Sequence, residues 1–197
     1  MDAVMESFEL IENFKTRAEA VSAQVERVAT KELALELIVR LLHREGVQDK
    51  RHCGAVWAQS SMVGDAARQQ LVSAVPGLTF LGLTCNVTRE LAADAKVGIS
   101  QMDWGLANTG TLVQRADAVD TRLVSTLPLL HIALVSSAAL LPDLPALLNR
   151  VDPSKSAYLS FITGPSRTAD IERVLTIGVH GPERLIIVLV DNLETAA

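Results

Sequence analysis

The feature of this sequence that most limits its fold is a set of short apolar runs that are continuous instead of alternating. A strand with one face in water alternates apolar and polar residues, whereas a strand covered on both faces is apolar throughout. Helical stretches separate most of these runs, so the pattern predicts an α/β fold, a three-layer sandwich with a parallel or mixed sheet between helix layers. The runs are Ala55–Ala58, Leu78–Leu83, His131–Val135, Tyr158–Thr163, Leu175–Val179 and Leu185–Val190.

The N-terminal segment has a helical spacing of its own, so we expect a helical appendage over residues 1–29 and a single α/β domain over 30–197. A short strand near Gln24–Ala29 is the competing interpretation of the end of this segment. Thr30 is predicted to cap the following helix, which ends near Gly46. The apolar residues that recur three or four positions apart are Phe8, Ile11, Phe14, Ala18 and Val21.

Three more helices are predicted between the apolar runs. Ser60 and Ser61 are expected to cap a helix that runs to about Val75. The composition of Thr88–Ala95 is helical, and Pro142-Asp143 is expected to open another helix.

Charge and aromatic content argue against nucleic acid as a partner. Lys and Arg number 18 against 23 Asp and Glu, a net charge of −5. An acidic chain lacks the basic footprint that phosphates require. Four Phe, two Trp and one Tyr also offer few platforms for stacking bases.

Cysteine and hydropathy patterns set further expectations. The two cysteines, Cys53 and Cys85, match no zinc or iron–sulfur spacing, so we expect no metal or cofactor bound by this chain. The longest apolar stretch, Leu127–Leu141, is interrupted by polar residues and predicts no membrane span. The acidic N-terminus does not resemble a signal peptide, and we expect a cytoplasmic protein.

The first candidate binding segment is a turn of Asn108, Thr109, Gly110 and Thr111 directly before a strand. Free backbone N–H groups and hydroxyls at such a turn can hold an anion, although the same residues also make an ordinary hairpin turn. Asp103, beside Trp104, is either a site carboxylate or a helix cap.

The second candidate segment follows the apolar run that ends at Thr163. Gly164 and Pro165 form a turn, which places Ser166, Arg167 and Thr168 at the start of a predicted helix, where anions are favoured. The alternative is a well-capped helix in which Arg167 pairs with Asp170.

Two histidines complete the candidates. His180, between two glycines, is expected to titrate near neutrality, or else to form a tight turn. His131 lies in an apolar run and is interpreted as a core histidine.

We predict that Asn108–Thr111 and Gly164–Thr168 line one cleft at the carboxyl edge of the sheet. Arg167 would bind a substrate carboxylate through its planar fork. Asp103 or Asp170 would hold Arg167 in place, with His180 at the rim. No catalytic residue is assigned, and whether the chain is an enzyme stays open.

Three motifs resemble those of the LUD-domain family, a broad family that includes bacterial lactate-utilisation proteins. The string Thr-Gly-Pro-Ser-Arg-Thr-Ala-Asp-Ile-Glu within Ile162–Glu172, followed by Gly178–Pro182, is similar to its C-terminal signature. Asp103–Leu112 is similar to its central motif, except that the family usually has Glu where this chain has Asn108. The resemblance covers roughly residues 30 to 191.

This resemblance implies a fold similar to the ribose-phosphate isomerase and CoA-transferase group. It also implies a role in oxidising L-lactate to pyruvate, alongside partner subunits that carry iron–sulfur clusters. The alternative is a stand-alone enzyme or sensor that binds a small anionic metabolite, such as a sugar phosphate or an acyl-CoA. The oligomeric state, including a homo-oligomer, is not fixed by the sequence.

Overall fold

The computed structural model of the protein describes residues 2–48, 54–58, 60–81, 88–155, 158–167 and 181–193. Several residues named above lie outside these ranges. They are Cys53, Cys85, Thr168, Asp170, the predicted strand Leu175–Val179 and His180.

The described residues contain six α-helices and ten β-strands. The helices are α1 (Asp2–Ala20), α2 (Lys31–Arg44), α3 (Asp65–Ala74), α4 (Arg89–Asp94), α5 (Val119–Thr126) and α6 (Leu144–Leu148). The strands are β1 (Gln24–Thr30), β2 (Ala55–Trp57), β3 (Leu78–Phe80), β4 (Val97–Gln101), β5 (Trp104–Leu106), β6 (Thr111–Arg115), β7 (Leu130–Ser136), β8 (Leu140–Leu141), β9 (Leu159–Ile162) and β10 (Arg184–Asn192).

The strands form two sheets. The larger has six strands in the order β1-β10-β7-β4-β2-β3, and every neighbouring pair is parallel. The smaller has the order β8-β5-β6-β9, in which β6 is antiparallel to both β5 and β9. The α/β architecture with a parallel sheet is therefore confirmed, whereas the separate small sheet was not expected.

The large sheet is covered on both faces. Helices α2 and α3 pack against one face in the largest apolar cluster. On the opposite face, α1 and the small sheet cover β7 and β10, while α4 and α5 cover β2. This arrangement explains why the central strands are apolar throughout: β7 is buried at all seven positions.

The N-terminal residues pack into the body of the fold. Ile11, Phe14 and Ala18 of α1 are buried in the cluster shared with β7, β10 and the small sheet. The strand interpretation near Gln24–Ala29 is confirmed, since β1 pairs with β10 along its length. None of the helices in the described ranges is long and apolar enough to cross a membrane.

The two predicted helix caps have different outcomes. Thr30 caps α2 as expected, its Oγ1 accepting from the N–H of Leu33 at 3.3 Å. The prediction of a cap at Ser60 is wrong, because α3 begins at Asp65 after Gly64. Ser60 Oγ instead donates to Gln101 Oε1, 41 residues further along the chain, at 2.6 Å.

Gly98 in β4 allows α5 to lie directly on the sheet. A Cβ at this position would be 2.0 Å from the carbonyl oxygen of Val124 in α5. We therefore expect Gly98→Ala to lower the free energy of unfolding by about 1–3 kcal/mol, the usual cost of overpacking. Urea unfolding of the purified variant measures this change.

The matched control is Gly64→Ala, because a Cβ there meets nothing within 4 Å and the backbone φ is −74°. Gly64 is the N-cap of α3, where alanine is less favourable than glycine by up to about 1 kcal/mol, so this variant should lose less stability than Gly98→Ala. Equal stability of the two variants would show that α5 does not rest on Gly98.

Candidate functional site

The hairpin of β5 and β6 separates the predicted site residues. Asp103 immediately precedes β5, and its N–H donates to the carbonyl of Val113 at 3.0 Å. Asn108–Gly110 lie in the turn at the other end, which joins β5 to β6 as a hairpin. About 10 Å of strand lies between the two ends. The predicted site residues therefore fall into two groups.

The turn end of the hairpin packs against the last residues of α1. Gly110 has a φ of +66°, and a Cβ there would lie 2.2 Å from the backbone nitrogen of Ala18. Only glycine allows this combination of conformation and close approach. Gly110 therefore has a structural reason to be present.

The hydroxyls at this turn are bonded to one another. Thr111 Oγ1 lies 2.7 Å from Thr109 Oγ1 and 2.8 Å from Thr163 Oγ1. Asn108 is exposed, and its backbone N–H donates to the carbonyl of Pro142 at 3.0 Å. The two predicted segments do meet here, but much of their hydrogen-bonding capacity is used internally.

Arg167 lies close to this region but on a different edge from the one predicted. Gly164 lies against Val21, and the Ser166 N–H donates to the Pro182 carbonyl at 2.8 Å. The exposed Arg167 donates to Ser22 Oγ. A cleft of about 340 Å³, which we call the amino-edge cleft, contains this arginine. Its lining residues are Ser22, Gln24, Pro165, Arg167, Glu183, Arg184, Leu185 and Ile186.

The predicted placement of Arg167 at the carboxyl edge is therefore wrong. Gln24 and Arg184 begin the parallel strands β1 and β10, so this cleft lies at the amino edge of the large sheet. The rule that ligands bind beyond strand carboxyl ends concerns parallel strands. Arg167 instead follows β9, which belongs to the small sheet and is antiparallel to β6.

A second cleft does lie at the carboxyl edge. Ser60 and Ser61 follow β2, while Gln101 ends the neighbouring parallel strand β4. From β2 the chain continues to β3 at the edge of the sheet, whereas β4, on the other side of β2, leads toward the centre. The strand order therefore reverses between β2 and β4, which makes this point a topological switch. We call this cleft of about 210 Å³ the carboxyl-edge cleft; it is lined by Ser60, Ser61, Gln101, Met102, Asp103, Gln114, Arg115 and Thr121.

An ion pair lies in the carboxyl-edge cleft. Asp103 Oδ2 accepts from the backbone N–H of Arg115 at 2.7 Å, and Oδ1 lies 3.2 Å from both Nε and Nη2 of the same arginine. The guanidinium carbon also lies 5.2 Å from the centre of the Trp104 ring. Asp103 thus holds Arg115, so the predicted support of Arg167 by Asp103 is not formed.

Gln114 contributes a buried amide to the same cleft. The residue is 3% exposed, and its Nε2 donates to the backbone carbonyl of Gln101 at 2.7 Å. Its Oε1 has no hydrogen-bond partner among the described residues. Gln101 Oε1, in contrast, accepts from Ser60 Oγ and from the N–H of Met62.

Sequence reasoning included Asp103 but missed the other polar residues of this cleft. A usable signal was present for some of them, because Ser60 and Ser61 closely follow the apolar run of β2 and Gln101 ends β4. Among the described residues, no three His, Cys, Asp or Glu side chains come together as metal ligands.

His131 is a core residue, as predicted. Its Nε2 lies 2.8 Å from Ser100 Oγ, and the two residues are 1% and 0% exposed. Burial lowers the pKa of His131 to about 4. This pair resembles a nucleophile and its base, but a substrate has no access to it in the packed core.

Comparison with known proteins identifies the family. The family model of the LUD domain matches residues 11–190. This chain belongs to the LUD domain family. The resemblance inferred from the sequence motifs is thereby confirmed.

The curated relatives share a name. Lactate utilization protein C of Exiguobacterium sp. is 40% identical over 112 residues, which cover 54% of this chain and 49% of that protein. Lactate utilization protein C 1 of Bacillus mycoides is 38% identical over 109 residues, covering 52% and 47%. The chain thus spans about half the length of the curated relatives it matches.

A solved structure supports the fold. A DUF162 family protein from Deinococcus radiodurans has a TM-score of 0.65 and 17% sequence identity, and the match covers 93% of this chain and 98% of that one. At this identity the likeness concerns the architecture alone.

The buried imidazole gives a pH-dependent stability. A histidine in an unfolded chain titrates near 6.5, so acidification protonates the unfolded state first and stability falls as pH drops through 6.5 toward about 4. Between pH 7 and pH 5 we expect His131 to remove about 2 kcal/mol of unfolding free energy. Urea titrations at the two pH values measure this loss.

His131→Gln should reduce the difference between the two pH values. The matched control is His43→Gln, which makes the same substitution at an exposed position of α2. A parental pH dependence in the His131 variant would contradict this explanation.

Proposed function

We propose that this chain acts in lactate utilisation, as an accessory subunit in the oxidation of L-lactate to pyruvate with iron–sulfur partner proteins. The observation that carries the proposal is the 40% identity over 112 residues to a lactate utilization protein C. The match of the LUD domain to residues 11–190 supports extending it to most of the chain.

The division of labour follows from the chemistry of clusters. An ordinary iron–sulfur cluster is held by four cysteine thiolates, and this chain has two cysteines. We therefore assign electron transfer through the clusters to the partner proteins. This chain would recognise the substrate or assemble the complex.

In the carboxyl-edge cleft, the alternative of a sensor or enzyme for sugar phosphates or acyl-CoA has less support. The carboxyl-edge cleft, at about 210 Å³, is smaller than the roughly 300–1,000 Å³ of pockets for larger ligands. Among the described residues that line it, the charged ones are Asp103 and Arg115, which form an ion pair and leave no net positive charge for a phosphate.

Deletion of the gene in its native host tests the proposal. We expect growth on L-lactate as sole carbon source to be lost and growth on pyruvate to be retained, because only the oxidation step is removed. Reintroduction of the intact gene should restore growth on L-lactate.

Affinity purification from the same host provides the second measurement. A retained cysteine-rich protein, with iron in the eluate, is the expected result. Normal growth of the deletion strain on L-lactate, together with recovery of no iron-containing partner, would contradict the proposed function.

A further inference from the structure

We propose that the carboxyl-edge cleft binds a small 2-hydroxycarboxylate, with Arg115 binding the carboxylate and Gln114 Oε1 accepting a hydrogen bond from the 2-hydroxyl. The choice of lactate as the representative ligand rests on the proposed function. The placement in this cleft rests on its own geometry.

Arg115 retains a free edge for a carboxylate. Asp103 engages Nε and Nη2 of the guanidinium, and no described residue bonds Nη1. The remaining N–H groups of Nη1 and Nη2 form a planar fork that matches two carboxylate oxygens. Contact with the Trp104 ring and the ion pair with Asp103 fix the orientation of this fork.

Gln114 supplies the acceptor that distinguishes a hydroxyl from other groups. Its amide orientation is fixed because the Gln101 carbonyl accepts a hydrogen bond and must face the NH2 group. Oε1 is therefore left as a buried acceptor without a donor among the described residues. A ligand hydroxyl supplies that donor, whereas a keto oxygen or a methylene group cannot.

The charge and size of the cleft favour a small monoanion. Because Asp103 already pairs with Arg115, each negative charge on a ligand adds repulsion, so a ligand with one charge binds more readily than one with two. The volume of about 210 Å³ suits a molecule of a few heavy atoms, and the hydroxyls of Ser60, Ser61 and Thr121 line the rest of the cleft.

Calorimetric titration of the purified full chain with L-lactate, propanoate and pyruvate tests the proposal. L-lactate should bind about tenfold more tightly than propanoate or pyruvate, the effect of one buried hydrogen bond. Gln114→Met should reduce the affinity for L-lactate to that for propanoate, and leave the affinity for propanoate unchanged.

Arg115→Lys keeps the positive charge but removes the planar guanidinium fork, so it should weaken binding of all three ligands about tenfold or more.

The matched control is Arg167→Lys in the amino-edge cleft, which should change none of the affinities. Melting curves establish that each variant is folded. Arg115 is 39% exposed, so this variant keeps the test valid if Gln114→Met does not fold.

Three results would overturn the proposal: no binding of L-lactate by the parent chain, equal affinity for L-lactate and propanoate, or loss of binding in Arg167→Lys but not in Arg115→Lys. These results are distinguishable from failure of the proposed function. A deletion strain unable to grow on L-lactate would still support that function, even if this chain bound no lactate.

Discussion

The structure depends on one constraint, which is that the central strands of the large parallel sheet must be covered on both faces. Strands β7 and β10 have no polar face to present to water. Two helices cover one side, so α1 and the small sheet must cover the other. This requirement holds the β5–β6 hairpin across the large sheet, with Asp103 at one end and the turn of Gly110 at the other.

The two ends of the hairpin consequently have different roles. At the turn end, α1 lies on Gly110 and the threonine hydroxyls bond one another, which makes this region primarily a packing contact. At the other end, the ion pair of Asp103 with Arg115 leaves one guanidinium edge and the oxygen of Gln114 without protein partners among the described residues. Unused hydrogen-bonding capacity at a topological switch is what a binding site for a small polar ligand requires.

The sequence predicts the parts of this structure that depend on local or strongly periodic signals. Continuous apolar runs predict β7 and β10, Thr30 predicts the start of α2, and the string Thr163–Glu172 identifies the family. Strands β6 and β9 were predicted, but their separate small sheet was not, because β5 and β8 have three and two residues and too little periodicity to be recognised.

The carboxyl-edge cleft could be predicted only in part, because its hydrogen bonds and its ion pair join residues that are distant in the sequence. Ser60 has the character of a helix cap, but its hydroxyl bonds Gln101 in another strand. Asp103 was recognised, yet its partner Arg115 is defined by the antiparallel pairing of β5 with β6. Arg167 was assigned to the wrong edge because no local signal shows which sheet β9 joins.

A crystal structure of the protein with bound L-lactate would show which cleft holds the ligand. We expect lactate in the carboxyl-edge cleft, with its carboxylate within hydrogen-bonding distance of Arg115 Nη1 and its hydroxyl within that distance of Gln114 Oε1. Lactate bound beside Arg167 and Ser22, with the carboxyl-edge cleft empty, would contradict it.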